Sequence, residues 1–338
     1  MHKKLQFFLI PIISLVTVLS IVFSGCGDKQ NKNWLTIYGG VLGGSFSQFA
    51  GGINQVVKDR EPTFKLSIVA SAGSVENTRR VNEDKNALGV VFASESSLGY
   101  NGEEIFAEGG PKTDIRMVTL LYFAYGQFST LQNSDIHEFK DIIGKKIACG
   151  APGSGTAKTL ERLAKAAGIW GQFTPIYRGG DSAAQELQDG QVKGFMWLVS
   201  VPNSAIIALT AIKSIRMIDL DTPATEHGLY DKYPYYYPAS LPEGAYEGKV
   251  ETVKTIMMPT VLIANKAVPD DIIYAIIKHI YSPTGHQVMV QTNKAASDMT
   301  IENADKAFVI PLHNGAYKFW QEQGVEIPEH AMPVEDEI

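Results

Sequence analysis

Glycine and hydroxyl residues recur in this sequence in one arrangement: a short β run, a small-residue turn, then the start of a helical pattern. The turns are Gly43-Gly44-Ser45, Ala72-Gly73-Ser74-Val75-Glu76-Asn77 and Gly150-Ala151-Pro152-Gly153-Ser154-Gly155-Thr156. The first N–H groups of a helix lack intrahelical acceptors and together carry about +0.5 of an elementary charge, so each turn suits an anion. Glycine lets a ligand approach the backbone, and Ser45, Ser74, Ser154 and Thr156 add hydroxyl donors. Taken singly, each turn could equally be ordinary helix capping. Three together, at the carboxyl ends of strands, point to a shared anion site with Gly44, Ser45, Ser74, Asn77, Ser154, Gly155 and Thr156 as its leading candidates.

Four further residues are candidates with a competing reading. Arg178 precedes Gly179-Gly180-Asp181 and could fork onto a carboxylate or form a surface salt bridge. Trp197 could wall a cleft or pack in the core. Phe92 and Gln127 complete the set. The third turn has the G-x-x-x-x-G frame of a nucleotide-binding loop, but that motif needs Lys and then Ser or Thr directly after the second glycine. Here Thr156 and Ala157 follow and Lys158 is displaced. No G-x-S-x-G elbow, H-E-x-x-H pair or clustered His and Cys ligands occur, so neither catalysis nor a metal or other cofactor is expected. His313, in Ile310-Pro311-Leu312-His313-Asn314-Gly315-Ala316, reads as a turn or cap. Cys149 alternates with Ile147 and reads as a small core residue.

The elements that must position these residues alternate. Leu35–Tyr38, Phe64–Ala70, Leu88–Phe92, Lys146–Cys149, Ile176-Tyr177 and Phe195–Trp197 read as strands. Helical spacing follows at Phe49, Ile53, Val56 and Val57, at Val75, Thr78 and Val81, at Leu160, Leu163, Ala164 and Ala167, and at Ala183 and Leu187. The rhythm implies an α/β fold with mostly parallel sheets covered by helices. Two longer apolar runs, Met117–Tyr125 and Ile256–Ile263, suit extended strands crossing between two lobes. One lobe is placed at 34–122 plus 256–338 and the other at 123–255. Tyr233-Pro234-Tyr235-Tyr236-Tyr237-Pro238 reads as a rigid aromatic loop that packs rather than reacts.

A length of 338 residues fits about two domains. The formal charge is −6, and the only charged residues before Cys26 are Lys3 and Lys4, so nucleic acid is an unsuitable partner. The two cysteines, Cys26 and Cys149, form no disulfide framework. Residues 1–25 read as an export signal: two lysines, an apolar stretch from Phe7 to Phe23, then Ser24-Gly25-Cys26. The last residues resemble a bacterial lipobox, with Phe23 in place of the usual Leu, so Cys26 is expected to carry lipid and residues 26–33 to form a tether. An uncleaved signal anchor is the alternative. Either way the remainder faces outward, at a periplasm or cell surface.

At these residues the chain resembles the TAXI family, solute-binding proteins of tripartite ATP-independent periplasmic (TRAP) transporters. The resemblance rests on Gly43-Gly44-Ser45-Phe46, Gly73-Ser74-Val75-Glu76-Asn77, Gly144-Lys145-Lys146 with the Gly150–Thr156 turn, Asp189-Gly190-Gln191-Val192, Tyr233-Pro234-Tyr235-Tyr236 and Ile310–Ala316, in the family order. It implies a two-lobed type II periplasmic-binding-protein fold, joined by hinge strands and closing on a glutamate-like or dicarboxylate-like solute. It also implies a monomer that delivers this solute to a TRAP-type membrane permease. Two departures touch the ligand: Phe46 and Ser47 stand where members often have two Tyr, and Phe92 stands where a Gln is common. The alternatives are a binding protein of an ATP-driven importer, and a sensor or surface lipoprotein without transport.

Overall fold

Alternation of apolar strands with amphipathic helices produces a ten-stranded mixed sheet. The computed structural model describes residues 34–58, 60–246 and 250–334. The proposed signal, Cys26 and the tether lie outside these residues. The strands are β1 (Trp34–Tyr38), β2 (Lys65–Val69), β3 (Ala87–Phe92), β4 (Ile115–Leu131), β5 (Lys146–Ala148), β6 (Thr174–Ile176), β7 (Gly194–Val199), β8 (Ile215–Met217), β9 (Tyr237–Ser240) and β10 (Lys254–Asn265). Their spatial order is β2-β1-β3-β10-β4-β7-β5-β6, with β8 on β4 and β9 on β10.

Strands β2, β1 and β3 pair in parallel, as do β7, β5 and β6. Between these trios run the long strands β4 and β10, antiparallel to each other and to the trios. The apolar runs expected to be long strands are therefore long strands, and β4 extends to 17 residues. Its first part pairs with β10 and its last residues pair with β7 and β8. Parallel strands need crossover connections, which the helices supply. In chain order these are α1 (Ser45–Lys58), α2 (Ser74–Glu83), α3 (Ala93–Asn101), α4 (Gly155–Ala166) and α5 (Gly180–Gln188). Four of them bury residues whose spacing predicts a helix, such as Phe49, Ile53, Val56 and Val57 on α1 and Leu160, Leu163 and Ala164 on α4, while α3 is a helix that the spacing does not predict. The described residues form one compact unit.

Two expected structural residues behave as read. His313 precedes the helix at Asn314–Glu322 and its side chain accepts from Gly315 N at 3.3 Å. Cys149 is buried, and burial pushes its thiol up to about 12, far from thiolate chemistry at neutral pH. Among the described residues, no helix is long and apolar enough to cross a membrane.

Candidate functional site

The three glycine-rich turns leave the carboxyl ends of β1, β2 and β5 and open α1, α2 and α4. They are tied to one another and to the turn after β6. Gly40 N donates to Ser71 Oγ at 3.1 Å and Ser71 N to Gly40 O at 3.0 Å, joining the first two. Gly150 N donates to Arg178 O at 2.8 Å, fixing the third. Gly73 suits a conformation that L side chains rarely adopt. Its φ of +126° is the backbone reason, and an added Cβ would come only into ordinary contact with Ser154 Cα at 3.4 Å, so the second and third turns touch there.

Around this junction lies a cavity of about 60 Å³, lined by Gly44, Ser45, Ser74, Phe92, Ser154, Gly155, Thr156 and Trp197 together with Phe46, Tyr122 and neighbouring backbone. Eight of the residues singled out in the sequence are thus brought together. No lining residue is ionic, so any charge bound there is met by amides and hydroxyls.

The buried hydroxyls are held in place by backbone donors. Ser74 Oγ accepts from Phe92 N at 3.0 Å and Thr156 Oγ1 from Leu198 N at 3.3 Å. Each has spent a lone pair and keeps its proton available to a guest. Ser154 caps α4 by accepting from Ala157 N at 3.2 Å, so for this residue the capping reading holds alongside the cavity contact. Ser45 Oγ pairs with Ser200 Oγ at 2.7 Å. Trp197 serves both of its readings. It is nearly buried and packs on Phe195, while its ring edge faces Gly44 and Gly180, where added Cβ atoms would meet it at 4.0 and 3.2 Å.

Three candidates stand outside the cavity. Asn77 is fully buried, and its Nδ2 donates to Tyr38 O at 3.1 Å and Val90 O at 2.7 Å, which locks α2 to β1 and β3. Gln127 donates to Val199 O and Ser200 O, both at 3.3 Å, and accepts from Tyr246 Oη. It holds the strand that carries the wall. Arg178 is exposed and pairs with Glu186 at 3.5 Å, the surface salt bridge that was its competing reading.

Tyr122 is the lining residue that sequence reasoning passed over. It lies inside an apolar run whose periodicity marks only a strand. On β4 it sits opposite Thr260 of β10, which in turn sits opposite Phe92 of β3, so the three side chains share one face. The β4–β10 register shifts beside Thr260, a bulge of the kind that re-aims a side chain. The Tyr122 ring stacks on Phe49 at 4.6 Å. Its phenol is fully buried beside the Thr260 and Ser45 hydroxyls. Burial pushes that phenol well above the usual tyrosine value, with the nearby Thr260 and Ser45 hydroxyls pulling the other way.

Behind Gly155 lies a buried ionic cluster that the sequence did not reveal. Arg162 of α4 donates to Glu95 Oε1 at 2.8 Å, to Glu104 Oε2 at 3.0 Å and to Tyr236 Oη at 3.1 Å. Tyr233 Oη donates to Glu104 at 2.8 Å, and Thr159 pairs with Tyr236 at 2.8 Å. The aromatic loop is therefore packing material, as read, with two phenols placed on a buried charge. Burial alone would raise the Glu104 carboxyl; Arg162 and the Tyr233 hydrogen bond outweigh it and hold the group below its usual value near 4.5. A depressed native value contributes stability that is complete above the unfolded-state value and lost as pH falls through the native one. Denaturant midpoints from about pH 5 to about pH 3 should accordingly fall less steeply for Glu104→Gln than for the parent chain. Parallel slopes would remove Glu104 from the acid response.

Among the described residues, no group of three or more His, Cys, Asp or Glu is placed to hold a metal. The chain is an α/β protein with a mixed sheet, and its three glycine-rich turns border a cavity at the strand ends. MatC from Rhodopseudomonas palustris with bound malate shares the fold at a TM-score of 0.53 and 14% identity, covering 85% of this chain and 97% of that one. The periplasmic binding protein BugD matches at 0.51 and 14%, covering 87% and 98%. This chain belongs to the NMT1-like family, whose sequence profile matches residues 37–324.

Proposed function

We propose that this protein is an extracytoplasmic solute-binding lipoprotein of the TAXI kind, anchored through Cys26, that captures a small organic anion and delivers it to a TRAP-type membrane permease. The lobes at 34–122 plus 256–338 and at 123–255 close on the ligand about β4 and β10, and binding rather than turnover is the outcome. One observation supports this reading above the others: three helix N-termini and the hydroxyls of Ser45, Ser74 and Thr156 converge on a cavity with no ionic side chain. Such donors can hold an anion out of water without a cationic partner. The glutamate-like and dicarboxylate-like solutes of the TAXI resemblance define the first panel to try.

Calorimetric titration with organic acids tests it. Ser74→Ala and Thr156→Ala should each weaken binding of the best acid by about 1–3 kcal/mol, the cost of a buried donor lost. Affinity unchanged in both variants would take these turns out of the site.

A further inference from the structure

Two parts of the 123–255 stretch reach across to the 34–122 stretch behind the cavity: the loop Tyr233-Pro234-Tyr235-Tyr236, and Arg162 of α4. Tyr235 packs on a small apolar cluster of Val75, Leu98 and Phe106, and its hydroxyl accepts from Ser97 Oγ at 3.2 Å. Tyr233 Oη donates to Glu104 at 2.8 Å. Arg162 spans to Glu95 at 2.8 Å and to Glu104 at 3.0 Å. All of these partners belong to α2, to α3 or to the Glu104–Phe106 turn that follows α3.

Each half of this joint has support of its own. On one side, Arg162 donates to Tyr236 Oη at 3.1 Å and lies 5.4 Å from the Tyr233 ring centre, while Tyr236 pairs with Thr159 at 2.8 Å. On the other side, Ser94 donates to Glu95 at 2.7 Å. Arg79 of α2 donates to Ile105 O at 2.9 Å and so fixes the turn that carries Glu104. Parting the halves therefore leaves polar faces that keep internal partners and that water can solvate. A wholly apolar joint would resist opening in proportion to the area it buries. A buried ion pair adds little net stability, because desolvation offsets most of the attraction. A joint of this composition can open and close, and a ligand that prefers one state decides between them.

Position ties the joint to the cleft. Val75 directly follows Ser74 at the start of α2, and Glu95 Oε2 lies 2.8 Å from where a Cβ on Gly155 would sit. The loop runs straight into β9, whose Tyr237 pairs with Met257 of β10. A bend in β10 thus carries the loop toward α3 or away from it.

We propose that the Tyr233–Tyr236 loop and Arg162 form a latch between the two lobes, which engages as the cleft shuts and sets how long a solute stays. The proposal rests on the solute-binding reading above and on the lobes and hinge strands named there.

Stopped-flow kinetics test it, with whichever of malate, succinate and glutamate binds the mature chain most tightly. The variants are Tyr233→Phe and Tyr235→Ala, neither of which alters a residue lining the cavity. Tyr233→Phe keeps the ring over Arg162 and removes the bond to Glu104, so release should quicken about fivefold. Tyr235→Ala empties the Val75–Leu98–Phe106 contact, and release should quicken about tenfold or more. Association should stay within about twofold of the parent, because the latch acts after capture. Cooperative denaturant unfolding shows that each variant is folded; should Tyr235→Ala not fold, Tyr233→Phe, which loses a single oxygen, carries the test. Unchanged release, whatever happens to association, would overturn the latch and leave the solute-binding reading standing. Binding of none of the three acids would count against that reading, and small-angle scattering of the acid-free proteins then decides the latch. A larger radius of gyration in the variants upholds it, and radii equal to the parent's overturn it.

Discussion

Alanine at position 162 is expected to lower the unfolding free energy by about 3–5 kcal/mol, among the largest single-residue losses the chain can show. Arg162 is nearly inaccessible and neutralises Glu95, which is wholly inaccessible. Removing the guanidinium strands that carboxylate beside the first turn of α4, with Ser94 as its remaining donor. It also takes a cation from Glu104 and a donor from Tyr236. The cost is that of an orphaned buried charge, not the net worth of the ion pair, and the two can differ in sign. Arg162→Met combined with Glu95→Gln should therefore recover part of the loss, because no wholly buried charge is then stranded and the part-exposed Glu104 keeps its Tyr233 hydrogen bond. Denaturant unfolding of the parent, the single and the double variant decides the matter. A loss below about 1 kcal/mol for Arg162→Ala would mean the cluster is solvated and the burial assignment wrong.

Gly155→Ala should be the most damaging minimal change at the cleft. The added methyl carbon would lie 2.3 Å from Phe92 Cδ2 and 2.8 Å from Glu95 Oε2. Either the Phe92 ring or the start of α4 must move, and overpacking of this kind costs about 1–3 kcal/mol. Movement of α4 carries the Gly155 and Thr156 amides away from the cavity. Ligand affinity should then fall at least tenfold, about 1.4 kcal/mol or more, for the tightest acid in the calorimetric panel. Phe92→Ala in the same chain opens the space the methyl needs, so the double variant should bind better than Gly155→Ala alone. A Gly155→Ala protein with parental affinity would show that the helix start is not part of the cleft wall.

Much of the fold was legible because its signals are local. Helical spacing at Phe49–Val57 reports which face is buried, whereas the alternation at Phe64–Ala70 marks the strand but buries only Phe64 and Leu66, because β2 lies at the sheet edge and leaves Ile68 exposed. The long strands announced themselves by length, since an apolar run such as Ile256–Ile263 overfills a single βα unit. The cleft was legible where backbone chemistry makes it: glycine and serine at a strand-to-helix turn say what the amides do whatever the partner. Side chains that act by direction were less so. Asn77 belongs to the same turn as Ser74, but three residues along a helix rotate it onto β1 and β3. Arg178 follows a strand, yet its side chain turns along the surface to Glu186. Tyr122 reads as apolar filling until the register beside Thr260 is known. Arg162 and Glu95 are far apart in sequence, and no local pattern reports a contact across such a distance.

The central claim is that the starts of α1, α2 and α4 hold one anion together. Backbone amide shifts of an isotope-labelled mature chain, followed while the tightest organic acid of the panel is added, test it most directly. Ser45 with Phe46, Ser74 with Val75, and Gly155 with Thr156 should all shift along a single saturable curve. Shifts confined to one turn, or three turns titrating with different affinities, would contradict it.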